Sequence, residues 1–287
     1  MTDINLVREN EKKNGDRNDS LRSPHFAGKG EKAENNVHVR LENVSLTYHD
    51  KTAETLALNS LDFDVCRGEL LGIVGPSGCG KTTVLSIISS IIKPSEGSVL
   101  IDGINAEERR NVCGYMLQRD ELFPWLTISQ NVLLGAKVKH MKGRKDYAYA
   151  LLDKYGLGDF KNRYPQQLSG GMRQRVALIR TLATSPEILL LDEPFGALDF
   201  QTRLRVVEDV HAIIKSEKKT AVFVTHDISE AISMCDRIVI LSARPTTVKK
   251  ILDLSAIKEL APLERRESPL FQKYFEDIWK NLQNKKD

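Results

Sequence analysis

Residues 70–74, Leu-Leu-Gly-Ile-Val, run without a break into Gly75-Pro76-Ser77-Gly78-Cys79-Gly80-Lys81-Thr82, and residues 82–92 then read as a helix stopped by Lys93-Pro94. A short apolar run that ends in a glycine loop is a buried strand. A strand that turns directly into a helix must pack that helix back on its own sheet. This order predicts the first unit of a parallel α/β fold. The loop fits GxxxxGK[ST]. Its glycines let backbone N–H groups wrap phosphate oxygens, and the helix behind presents its positive end to the same anion. Lys81 supplies a mobile charge for β- and γ-phosphates, the Thr82 hydroxyl suits magnesium, and Thr83 can reach an α-phosphate. Cys79 is read as a small filler in the loop.

Strand and helix patterns alternate through the rest of the chain. Residues 37–41 and 44–48 alternate apolar and polar, as do 61–65, and each predicts a half-buried strand. Residues 99–101 give a strand before the Asp102-Gly103 turn. The stretch 126–182 is mostly helical. Thr127 is a cap for 128–138, Gly156 stops a helix over 146–155, and Ser169 caps 170–183. After that come strands at 187–191, 221–225 and 238–241, with helices following Asp199 and Asp227. Residues 1–36 carry both charge signs without a period and predict a disordered polar tail. From 268 to 287, Leu270, Phe271, Tyr274, Phe275, Ile278, Trp279 and Leu282 fall on one helical stripe, which either packs on its own domain or docks another chain.

Composition narrows the function classes. No apolar run approaches a membrane span, and the N-terminus shows no apolar secretion core. A formal net charge of +3 offers no field to argue for nucleic acid. Cys66, Cys79, Cys113 and Cys235 are scattered, which suits a reducing compartment and gives no metal framework.

Residues 188–192 form a second apolar strand and end in Asp192, followed at once by Glu193. Neighbouring residues on extended chain point to opposite sides. Asp192 can therefore face a magnesium ion while Glu193 faces an attacking water. About twenty residues earlier stands Leu168-Ser169-Gly170-Gly171-Met172, a capped helix start with two glycines.

Together Gly75 to Thr82, Gln118, residues 168–172 and 188–193, Ala197-Leu198-Asp199 and His226 resemble, in type and order, the ABC-type ATPases. The resemblance covers residues 37–241. It implies a phosphate-loop α/β core with an antiparallel β subdomain and a helical subdomain carrying the signature at 168–172. It also implies ATP and Mg2+ as ligands. On the family pattern Tyr48 stacks on adenine, Gln118 touches magnesium and the water, Asp192 holds magnesium and Glu193 is the general base. His226 contacts the γ-phosphate, and Asp199 lies at a dimer seam. Ser169, Gly170 and Gly171 bind the γ-phosphate held by a second copy of the chain, so two chains share two sites. The implied setting is peripheral, on the cytoplasmic face of a membrane, beside integral-membrane permease subunits and indirectly an extracytoplasmic solute-binding protein.

Phe123 and Trp125 lie in an acid-flanked loop after Gln118 and are expected to meet the permease. Residues 122–132, 168–180, 191–203 and 241–245 resemble the nitrate, sulfonate and taurine importer ATPases, and importers for thiamine or riboflavin precursors share much of this pattern. Ser89-Ser90 and Thr246 depart from the subgroup and are expected to lie away from the chemistry.

Overall fold

The computed structural model describes residues 36–49, 54–109 and 111–283. The tail expected at 1–36 falls, apart from Asn36, outside them, as do residues 284–287 of the stretch expected to be helical at 268–287. In chain order the elements begin with β1 (Val37–His49), β2 (Glu54–Cys66), β3 (Leu70–Val74), α1 (Lys81–Ile88), β4 (Glu96–Ile101), β5 (Ile104–Asn105) and β6 (Cys113–Met116). Three helices follow, α2 (Ile128–Val138), α3 (Arg144–Lys154) and α4 (Gly170–Leu182). Next come β7 (Ile188–Asp192), α5 (Phe200–Ser216), β8 (Thr220–Thr225), α6 (Ile228–Met234), β9 (Arg237–Leu241), β10 (Val248–Asp253), α7 (Pro262–Glu267) and α8 (Pro269–Gln283).

The apolar strands β3, β7 and β8 are buried at every position, as unbroken apolar runs require. They sit in a six-stranded sheet of order β10-β9-β3-β8-β7-β6, parallel except for β10. Alternate residues serve opposite cores. Leu189, Leu191 and Phe223 face the helices α4, α5, α6 and α8, whereas Leu190, Val222 and Val224 face α1 and the second sheet. That second sheet is antiparallel, of order β2-β1-β4-β5. It thus matches the predicted β subdomain, and α2 to α4 supply the helical one.

Among the differences from the sequence reading, three have a clear local cause. The expected pair of short strands at 37–48 is one bent strand, because Asn43 adopts φ +48 and the register shifts between Leu41 and Val44. This bulge keeps Val44 and Leu46 on the buried face. Helix α1 stops at Ile88, not Ile92, where Ser90 turns left-handed at φ +58 and the N–H groups of Ile91 and Ile92 both donate to the Ser86 carbonyl. Strand β10 has no counterpart in the sequence pattern. Its Lys249 and Lys250 break the apolar run, as an edge strand permits.

A charged seam ties the two sheets. Arg109 pairs with Asp102 and Glu187, Arg67 also pairs with Asp102, and buried His38 reaches the Thr220 hydroxyl at 2.7 Å. At the other end of the chain α8 packs on its own domain. Ile278 is fully buried, Lys250 pairs with Asp277, and Trp279 stacks on Phe275 with its other side exposed.

Candidate functional site

Parallel strands deliver their C-terminal ends to one edge, and the site lies there. Val74 is in register with Thr225, and Asp192 with Val224. The segments that follow these strands, the loop from Gly75, Glu193 and His226, are therefore neighbours although scattered along the chain.

The phosphate loop closes through left-handed glycines, Gly78 at φ +75 and Gly80 at φ +107, conformations that cost a side-chain-bearing residue about 1–2 kcal/mol. Lys81 is nearly buried, and its ammonium donates to the carbonyls of Gly75 at 3.0 Å and Pro76 at 3.1 Å. The charge is thus held inside the loop. Cys79 is buried, its Sγ packs where a Cβ on Gly75 would stand, and burial pushes its thiol pKa up. That environment is the one expected of a filler. Ser77 is exposed in the loop, and Thr83 meets the Tyr48 hydroxyl at 3.2 Å. Tyr48, half-exposed at the end of β1, is in this way brought from the β subdomain to the phosphate loop.

Thr246 corrects the sequence reading. It is fully buried and its hydroxyl donates to the Cys79 carbonyl. Its backbone pairs with Ala57 and Asn59 of β2. The residue therefore braces the phosphate loop against the β subdomain. A glycine there would lack the hydroxyl.

Opposite the loop, Asp192 is buried near the Thr82 hydroxyl, and the Tyr115 hydroxyl stands 3.4 Å from its Oδ2. Burial raises the Asp192 pKa, with the Glu193 charge adding to it and the Thr82 hydroxyl opposing it. A buried carboxylate beside a hydroxyl is a pair of hard oxygen donors, the set magnesium prefers. Glu193 itself adopts φ +43, an unusual conformation for a non-glycine residue, while its N–H donates to the Val224 carbonyl. This twist sends its carboxylate away from Asp192. Oε2 of Glu193 lies 2.9 Å from His226 Nδ1 and 3.4 Å from Gln118 Nε2. The structure thus groups Thr82 with Asp192, and Glu193 with Gln118 and His226.

The segment 168–172 forms the start of α4. The Ser169 Oγ accepts from the Met172 N–H at 3.3 Å. Gly171 permits a close crossing, since a Cβ there would meet Val206 at 2.7 Å, and one on Gly170 would meet Leu198 at 3.0 Å. Both glycines thereby bring α4 against α5 and the Leu198–Asp199 turn. Asp199 caps α5 by accepting from the Thr202 N–H at 3.0 Å, and that bond holds its carboxyl below the usual range.

Several supporting residues lie within the segments 122–132 and 168–180 but carry no role in the sequence reading. Asn131 is fully buried under the aromatic loop. Its Nδ2 donates to the carbonyls of Phe123, Leu126 and Thr127, and its Oδ1 accepts from the Phe123 N–H at 2.7 Å. Above it Phe123 and Trp125 stand with ring centroids 5.2 Å apart, and Trp125 is 68% exposed. From α4, Arg173 pairs with Asp120 at 2.9 Å, and Arg180 donates to the carbonyls of Asp120 and Glu121. The aromatic loop is therefore hung from the same helix that Ser169 begins. Arginines 173 and 180 stand seven apart in sequence, hence on one helical face, and that was the available signal. Asn131→Ala is expected to lower stability by about 2–3 kcal/mol, because the Phe123 N–H and the Leu126 carbonyl lose their partner, while the Phe123 and Thr127 carbonyls keep backbone ones. Thermal unfolding followed by circular dichroism would show this as a midpoint about 5–10 °C lower.

Known proteins resemble this chain over most of its length. Residues 58–196 match the family profile described as ABC transporter. The chain is 48% identical over 249 residues to the uncharacterised ABC transporter ATP-binding protein YtlC of Bacillus subtilis, covering 85% of this chain and 95% of that one. It is 40% identical to the aliphatic sulfonates import ATP-binding protein SsuB of Bacillus cereus, covering 75% and 85%. It is 44% identical to the glycine betaine/carnitine/choline transport ATP-binding protein OpuCA of Bacillus subtilis, covering 71% of this chain and 55% of that longer one. Among solved structures, a dimeric ATP-binding cassette in a post-hydrolysis state with ADP and phosphate superposes with a TM-score of 0.62 at 35% identity, covering 75% and 98%.

Proposed function

Because this chain belongs to the ABC transporter ATP-binding family, we propose that it is the ATP-hydrolysing subunit of an importer and couples hydrolysis to uptake of a small solute. The single observation that carries the reading is the grouping of Lys81, Asp192, Glu193 and His226 at one sheet edge. It is the arrangement needed to hold a nucleotide triphosphate and direct a water at its last phosphorus. Backbone N–H groups of 77–83 and the Lys81 ammonium take the β- and γ-phosphates, and Tyr48 offers its exposed ring to adenine. Thr82 and Asp192, with the Gln118 side-chain oxygen, would hold magnesium, which neutralises charge on the phosphate oxygens. Glu193 accepts the proton of the water, and His226 fixes its carboxylate and faces the γ-phosphate. The protein mainly positions and stabilises charge, since the transition state of phosphoryl transfer is loose.

Within one chain the described hydrogen bonds keep Ser169 in its own helix, and the residue is exposed. A second copy placing Ser169, Gly170 and Gly171 on the γ-phosphate would complete each site. The related cassette, solved as a dimer with ADP and phosphate, supports this reading.

Among the described residues no helix is long and apolar enough to cross a membrane. The exposed pair Phe123 and Trp125 is the surface we assign to the permease, with a solute-binding protein acting beyond it. Replacing both with serine should leave ATP binding intact and reduce co-purification with the co-expressed permease at least tenfold. Unchanged co-purification and uptake would remove the assignment. For the solute, the motifs at 122–132 and 241–245 and the sulfonate-import relative favour a sulfonate, taurine or nitrate. The betaine-transport relative, at similar identity over a smaller share of its length, favours a second reading with another small solute. Uptake of labelled taurine and of labelled choline, in cells with and without this chain, separates the two.

A further inference from the structure

Between α2 and α3 the chain makes a strongly basic tip. Residues 137–145 contain Lys137, Lys139, Lys142, Arg144 and Lys145 and no acid, against a net charge of +3 for all 287 residues. The segment turns twice through left-handed residues, His140 at φ +52 and Gly143 at φ +71. Four consecutive positions, Lys137 to His140, are exposed, among them Val138 at 70%. A helix end exposed at four consecutive positions is a protrusion. Asp146 follows the tip in the first turn of α3, while farther off Asp153 pairs with Lys161 at 2.7 Å and Glu217 with Lys154 at 2.7 Å. Tyrosines steady part of the charge from beneath, with Arg144 over Tyr147 and Lys145 over Tyr149. Lys139 also lines a cleft of about 180 Å³ together with Ile91, an apolar residue 69% exposed.

We propose that this tip contacts the anionic headgroups of a lipid bilayer. Clustered Lys and Arg on a protruding turn, with an exposed valine among them, match a flat negative surface with an apolar layer beneath it. The attraction is electrostatic and short-ranged, so it acts only when the chain is already close to a membrane and weakens with salt. It would orient the chain and not anchor it. Nothing in it depends on nucleotide.

The test uses the purified full chain in co-sedimentation with vesicles, either phosphatidylcholine alone or an equal mixture with phosphatidylglycerol. Binding is expected to the mixed vesicles only and to fall with added salt. Changing Lys137, Lys139, Lys142, Arg144 and Lys145 together to Gln should weaken it about tenfold or more. A second variant removes the same charge elsewhere, with Lys218, Lys219, Lys258, Lys273 and Lys280 changed to Gln, and should bind as the parent does. ATP hydrolysis and the thermal unfolding midpoint, unaffected in both variants, show that they fold. Equal binding to neutral vesicles, no binding to either, or equal losses in the two variants would each overturn the proposal. So would retention on an acidic peptide or on DNA by a chain that ignores vesicles. A failure here leaves the ATPase reading standing.

Discussion

Glu193→Gln should reduce steady-state ATP turnover about a thousandfold, the scale of a lost general base, while leaving nucleotide binding intact. The separation follows from where the groups sit. Lys81 and the loop carbonyls form one cluster, and Glu193 with His226 and Gln118 forms another. Glutamine keeps the shape and an oxygen for the 2.9 Å contact to His226 Nδ1, but it cannot take a proton from water. The left-handed φ of +43 at this residue is set by the chain turn after β7 and is open to glutamine at the same cost. The variant should therefore fold, bind ATP with magnesium and pass from monomer to dimer on a sizing column, because the bound triphosphate is no longer consumed. Phosphate release measured beside sizing gives both numbers. Turnover within tenfold of the parent would assign the proton to another group. Persistent monomers with ATP bound would count against the shared site.

Much of this site is local in the chain, and for that reason the sequence exposes it. Gly78 and Gly80 declare their left-handed loop, the runs 70–74 and 188–192 declare buried strands, and Ser169 declares a cap. Their joint placement at one edge then follows from parallel pairing. What stays hidden depends on contacts between distant segments. Arg173 and Asp120 are 53 residues apart, and Thr246 and Cys79 are 167 apart. No periodicity records such pairs. Thr246 is instructive, because departure from a family pattern makes it look idle, whereas burial against the phosphate loop gives it a bracing contact. Asn131 hides for a different reason. An asparagine within a helical pattern looks like a solvated position, and only the folded-over aromatic loop supplies the backbone groups it satisfies. The apolar pattern overextends helix α1, because Ile91 and Ile92 continue it although Ser90 has already left the helix.

Two inactive variants mixed together should recover activity, and this is the sharper test of sharing. Lys81→Ala removes the ammonium held at Gly75 and Pro76, so its own phosphate loop binds ATP poorly. Ser169→Arg places a large side chain at the exposed start of α4, where a partner's γ-phosphate would approach, and its own phosphate loop is untouched. Each variant alone should hydrolyse ATP at a few per cent of the parent rate or less, roughly the loss expected when a charge-assisted phosphate contact goes. In a mixed pair, one site joins both defects and the other joins the intact phosphate loop of the Ser169→Arg chain to the intact signature of the Lys81→Ala chain. Random pairing makes half of all dimers mixed, each with one whole site. The mixture should then turn over ATP several-fold faster than the mean of its two components. The gain should depend on total protein concentration, because it requires association. A mixture no faster than that mean, at concentrations where the Glu193→Gln chain dimerises, would mean either that each chain completes its own site or that both sites must be whole before either fires. Mixing the Lys81→Ala chain with parent protein separates these. If each chain completes its own site, the parent's activity per chain is unchanged. If both sites are needed, the inactive chain suppresses it.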